Sequence, residues 1–213
     1  MTAQTNSYII GLNPTADNNF LLDTDSAGAL RIRRRADGSG GTLLVMNTPN
    51  ATIQQSWLTA AKTAVGANVD FAAASSDAPP SWANKITVNL SGLSLTGNDH
   101  LLLQLGVTSA QTTGYSSQAS NITTGPAIST GSFTAGFGVL LGGATATISG
   151  QLFLTRLSAL KWLMSTNITR TDGAIFNLGG GEVTLAGNLG FLRLIPSGAN
   201  TIDAGTVSAF YEG

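Results

Sequence analysis

The 213-residue chain has no cysteine and a single histidine, and only 10% of its residues are charged. Without thiols there are no disulfides and no thiolate metal site, and one imidazole falls short of a zinc ligand set. From Trp82 onward the sequence offers five acids, five bases and His100, all scattered. Proton transfer or nucleophilic attack needs such groups gathered in one place, so neither an enzyme nor a cofactor or metal site is expected. The net charge of −1 supplies no long-range field, which argues against nucleic acid and anionic membrane as partners. No apolar run reaches the roughly 18 residues of a membrane-spanning helix. Residues 1–12 lack the basic and apolar regions of a secretion signal, so export by that route is not expected.

Glycine, serine and threonine fill the space that charge leaves. An ordinary domain carries about a quarter of its residues charged, so this surface is neutral and hydroxylated. Such a surface has little protection against self-association and suits a protein covered by copies of itself or by partners. A monomer wetted by Ser, Thr and Asn is the plainer alternative.

In the N-terminal part, strand-length runs at 20–23, 29–35 and 42–46 are separated by Asp25-Ser-Ala-Gly28 and Asp37-Gly-Ser-Gly-Gly41, whose Asp and Gly tolerate tight reversals. The pattern predicts a small β-meander. Strand alternation sets Arg31, Arg33 and Arg35 on the face opposite Leu30 and Ile32. Thr48-Pro49 can open a helix and Gly66 can close one, with Ile53, Trp57, Ala60, Ala61, Ala64 and Val65 at the spacing of one helical face. Residues 68–81, with a run of small residues and Pro79-Pro80, predict a connector.

Beyond Trp82 the runs 85–90, 100–107, 132–141, 144–157, 160–168, 182–185, 189–195 and 206–212 all read as strands bounded by Gly, Asn, Ser or Pro. Residues 100–105 are apolar on both faces and predict a central strand. The fold class expected is mainly β: a jelly-roll-like β-sandwich at 82–213, preceded by a meander and short helix at 1–70 and a linker at 71–81.

The local chemistry is thin. Asp99 and His100 are neighbours on a strand and point to opposite faces, so one does not orient the other. Asp172, Glu182, Asp203 and Glu212 could pair as glycosidase carboxylates, but Asp172 and Asp203 sit in turn contexts that explain them without catalysis. Asp23-Thr-Asp25 opens like a calcium loop, yet Arg34 stands where the loop needs its bidentate Glu. Arg31, Arg33, Arg34 and Arg35 form the one charge cluster. They suit docking to an acidic protein surface or pairing with the meander's own aspartates; no interleaved aromatics point to nucleic acid.

The stretch Pro80-Ser-Trp-Ala-Asn-Lys-Ile-Thr-Val-Asn-Leu-Ser-Gly-Leu-Ser, then Leu102-Leu-Gln-Leu-Gly106, Thr113-Gly-Tyr-Ser-Ser-Gln-Ala-Ser120 and the ending Asp203-Ala-Gly-Thr-Val-Ser-Ala-Phe-Tyr-Glu, resembles the C-terminal β-domain of tailed-bacteriophage fibre, spike and capsid-decoration proteins. The resemblance spans about two thirds of the chain and carries over no catalytic residue. The segment Asn18-Asn-Phe-Leu-Leu-Asp-Thr-Asp-Ser-Ala-Gly-Ala-Leu likewise looks like a virion-anchoring β-segment. The resemblance implies a homotrimeric module on the virion surface, in capsid or tail, attached through its N-terminal region to the major capsid protein or another virion protein. Only about 80 residues precede the β-domain, short for a fibre shaft, which favours a head spike or cement protein. In that reading Ile53 and Trp57 anchor the contact and the arginines meet the shell. The alternative is a tail-fibre or receptor-binding module for host surface glycans, with Tyr115 and Trp162 as stacking rings.

Overall fold

The computed structural model describes residues 56–125, 128–141, 143 and 146–213, together with the backbone of four strands before them. Two compact units divide the chain at Gln54/Gln55. In the first, β1 (Tyr8–Ile10), β2 (Phe20–Thr24), β3 (Leu30–Arg34) and β4 (Thr42–Met46) form an antiparallel sheet in chain order. The expected meander is thus found. In its register Arg31 faces Asp23 and Val45, and Arg33 faces Leu21 and Thr42 across a bulge.

The second unit is a sandwich of two antiparallel sheets. Its strands are β5 (Ser56–Leu58), β6 (Lys62–Thr63), β7 (Val69–Phe71), β8 (Lys85–Leu95), β9 (Leu101–Gly106), β10 (Tyr115–Thr123) and β11 (Ile128–Phe133). They continue as β12 (Phe137–Val139), β13 (Ile148–Arg156), β14 (Lys161–Arg170), β15 (Ile175–Thr184), β16 (Phe191–Pro196) and β17 (Ile202–Glu212). The large sheet runs β11-β10-β15-β14-β13-β8-β17-β5, with β6 also on β17; the small sheet runs β12-β9-β16-β7. Pairs β8–β17, β9–β16 and β10–β15 are nested, and each step along the chain from β8 to β10 or from β15 to β17 changes sheet. That is the folded-over hairpin of a jelly roll; β13 and β14 enter the large sheet between β15 and β8 and widen it.

The core forms because inward positions alternate along the long strands. Ile86, Val88 and Leu90 of β8, Leu152 and Leu154 of β13, Trp162 and Met164 of β14, and Val207, Ala209 and Tyr211 of β17 are all buried. A buried side chain of Leu or Ile size contributes about 1.5–3 kcal/mol over its exposed state, so these rows fix strand register. Every residue of β9 is buried, as its two-faced apolar pattern predicts, and it lies between β12 and β16. Two glycines set bulges. Gly150 (φ +146°) and Gly205 (φ +116°) have backbone within 2.2 and 2.6 Å of where a Cβ would lie, so each strand passes its neighbour only without a side chain there.

Three expectations need correction. The helix opened by Thr48-Pro49 is not found over its described part: residues 56–58 and 62–63 are strands on β17, while 47–55, with Ile53, lie outside the described residues. Available sheet edge decides this. Thr59 N–H donates to Ala209 C=O (2.9 Å), Ala209 N–H to Thr59 Oγ1 (3.0 Å) and Ala64 N–H to Gly205 C=O (2.9 Å), and tertiary pairing overrides a weak helical pattern. Residues 71–81 are not a free linker: β7 pairs with β16, Phe71 is in the core, and Asp77 is buried. Finally, β10, which falls outside the runs that read as strands, is a nine-residue strand. Its inward residues are Tyr115, Ser117, Ala119 and Asn121, so apolar alternation is missing. Ser117 Oγ accepts Gly138 N–H (3.1 Å), and Asn177 Nδ2 donates to Asn121 Oδ1 (2.9 Å) and Leu140 C=O (3.3 Å). Polar bonds fasten this end of the sandwich where hydrophobes fasten the rest.

Candidate interaction surface

The outward positions of the large sheet make one broad face. Away from the bulges at Gly150 and Gly205, the six strands β10, β15, β14, β13, β8 and β17 pair in register, so their outward residues align in rows across the sheet. One row passes through Gln118, Gly180, Ser165, Phe153, Thr87 and Phe210. The next, one pleat away, passes through Ser120, Leu178, Asn167, Gln151, Asn89 and Ser208. A third begins with Ile122, Phe176 and Thr169. None of these residues is ionisable.

Charge appears toward both ends of the strands: Lys85, Glu182 and Glu212 share one row with Lys161 beside it, where Lys161 Nζ meets Glu182 Oε1 at 2.8 Å, while Asp203 of β17 and Arg170 of β14 stand at the opposite end. On the face itself Gln151 Nε2 donates to Asn89 Oδ1 (2.9 Å), and Asn89 Nδ2 donates to Ser208 Oγ (3.3 Å). These cross-strand amides stiffen the surface and keep further donors and acceptors turned outward. Between them stand apolar side chains: Phe153 is 37% exposed and Leu178 44%. At the row of Ile122 and Phe176 the face ends in a shallow cleft of about 390 Å³, closed by the turn at Gly173 and Ala174.

The ionisable groups elsewhere are engaged singly. Asp70 accepts both the Nε and an Nη of Arg193 at 2.7 Å across β7 and β16. Arg170 likewise donates its Nε and an Nη to Asp172 (3.0 and 2.6 Å), and with the Thr147 N–H this holds the Asp172 carboxyl at about 2. Burial raises the Asp77 carboxyl, but Lys62, Ser75 Oγ (2.5 Å) and Ala72 N–H (3.0 Å) outweigh it and hold the group below its ordinary value. Asp203 accepts Ser94 Oγ. Asp99 accepts the Asn200 N–H (2.8 Å) and does not orient His100. The His100 ring lies edge-on to Phe133 at 5.8 Å, and burial lowers its pKa against the pull of Asp99. Among the described residues no three His, Cys, Asp or Glu gather as a metal site. No helix among them is long and apolar enough to cross a membrane.

Both residues expected to stack on sugar are turned inward, which corrects that assignment. Tyr115 is 4% exposed: its hydroxyl accepts Leu105 N–H (2.7 Å) and donates to Leu105 C=O (3.2 Å), and Phe137 meets its ring edge-on at 5.1 Å. Trp162 is 2% exposed, its face shared with Met164 as the strand alternation implies. Neither ring has a free face. Trp57, on edge strand β5, is 36% exposed and rests on Tyr211 at 5.3 Å, so it remains available as an anchor. Arg31, Arg33 and Arg34 occupy β3, while Arg35 and Ile53 lie outside the described residues. The uncharged face was missed as a site because it has no motif; its signal is the outward polar alternation of six separate strands, which becomes one surface only once their order is known.

No protein-family model, curated protein or solved structure matches this chain.

Proposed function

We propose that the chain is a structural protein of a tailed-phage virion surface, most specifically a trimeric capsid spike or cement protein that docks through its N-terminal region and stabilises the shell. The observation that supports this reading is the uncharged face of the large sheet. A surface of hydroxyls, amides and half-exposed hydrophobes suits lasting protein contact, and the described residues gather no set of reactive groups beside it. The resemblance of the β-domain and of the N-terminal segment supplies the setting. In that setting the arginines of β3 meet acidic groups of the major capsid protein, and Trp57 anchors the junction. Cementing then works by mass action: a protein that binds only the assembled lattice stabilises it by RT ln(1 + [L]/Kd), about 2.7 kcal/mol at a hundredfold excess over Kd.

The test is re-addition. Purified protein is mixed with particles grown without its gene, and co-sedimentation and the temperature of genome release are measured. Binding with a raised release temperature, both lost in the Arg31→Glu/Arg33→Glu/Arg35→Glu variant, is the expected result. Particles that neither bind the protein nor change in stability would overturn the proposal.

A further inference from the structure

We infer that the uncharged outer face of the large sheet is the contact between copies of this chain, the copies converging on their symmetry axis through β10, β15, β14, β13, β8 and β17. The inference rests on the proposed assembly role and names the surface that builds the oligomer.

Size is the first reason. These six strands are each 9 to 11 residues long. At about 4.8 Å between strands and 3.3 Å per residue, nine residues of each span roughly 29 by 30 Å, or about 850 Å². A stable specific interface takes about 800 Å² per partner. The face reaches that size when the end row of Lys85, Glu182 and Glu212 is counted as its rim.

Charge is the second reason. Closing a face over ionised side chains costs several kcal/mol per unpaired ion, and the central rows hold none. Partners of other chemistry find little here. An acidic or basic protein meets no opposite charge in the central rows, and Tyr115 and Trp162, the rings expected to stack on a sugar, are buried. A second copy meets its own chemistry. Around a symmetry axis each residue near the axis faces its equivalents, so the amides of Gln151, Asn89 and Asn167 find both donors and acceptors. Phe153 lies mid-face, where interface anchors concentrate.

Sedimentation equilibrium on the full chain tests this. Wild type should be a trimer, and Phe153→Glu should weaken association at least about 100-fold, because identical carboxylates would meet at the axis. Ser165→Glu, an exposed polar position in the same row, should act likewise without altering the core. Ala186→Glu, in the turn after β15, should have no effect, and thermal melting should show all three folded. Wild type that stays monomeric to about 100 μM, or an oligomer untouched by both face variants, would overturn the inference. A monomer that still binds particles overturns the contact and spares the virion role. A trimer that the face variants disrupt but that ignores particles does the reverse. A dimer disrupted in the same way supports the contact and overturns the trimeric state.

Discussion

Replacing Tyr115 by Phe removes one oxygen and tests whether this residue ties the two sheets or serves a surface. β12 pairs with β9 only as far as Leu103. Two residues further on, the Tyr115 hydroxyl from the large sheet takes up Leu105 N–H at 2.7 Å, while Leu105 C=O also receives Gln111 N–H at 2.8 Å. The substitution therefore leaves the carbonyl satisfied and orphans the N–H. An unpaired buried donor costs about 1–3 kcal/mol. At about 2–4 °C per kcal/mol for a unit of this size, Tm should fall by about 2–12 °C, measured by calorimetry at neutral pH. Tyr115→Ala adds loss of the packed ring and should cost about 3–5 kcal/mol. Burial also pushes the phenol up to about 12, against the Leu105 bond. With the folded pKa above the unfolded value near 10, this stability is intact below about pH 10 and lost as pH rises through about 12. Ultraviolet titration of the folded protein should show Tyr115 un-ionised at pH 11. A Phe variant as stable as wild type, or a phenol that ionises near 10 in the folded protein, would refute the reasoning.

Gly205→Ala should cost about 1–3 kcal/mol from its positive φ alone and more from the Cβ forced onto Leu93, so soluble yield and Tm should both drop. Asp77→Asn should lower stability at neutral pH and flatten the acid limb. The depressed carboxyl contributes stability that is present above the unfolded pKa near 3.9 and lost as pH falls through the lower folded value, which urea melts at pH 7 and 3 would register. His100→Asn should remove a loss of stability between pH 7 and 5. A histidine with a lowered folded pKa stabilises fully above about 6.5 and progressively less below it, and melts across that range would show the difference.

The elements legible in the sequence were those whose apolar residues alternate. β8, β13, β14, β16 and β17 each carry that signal, β9 shows instead a run apolar on both faces, and the turns of the meander mark out β2, β3 and β4. β10 was hidden because Ser117 and Asn121 do with hydrogen bonds what Leu or Val does elsewhere. β5, β6 and β7 were hidden because two to three residues are too few to show a period, and a free edge of β17 or β16 decides their conformation. The burial of Trp162 follows from the strand alternation that sets it on one face with Met164. Tyr115 was misplaced because its Gly-Tyr-Ser-Ser context resembles a loop. The neutral surface is evident from composition, but its concentration on one sheet depends on pairings between residues as distant in sequence as Lys85 and Glu212.

The most direct test of the account is a density map of the assembled particle that resolves this protein. It predicts sandwich units in which the Phe153 faces of neighbouring copies lie in contact around a common axis, with the meander against the shell. A map in which that face opens to solvent on isolated copies would contradict it.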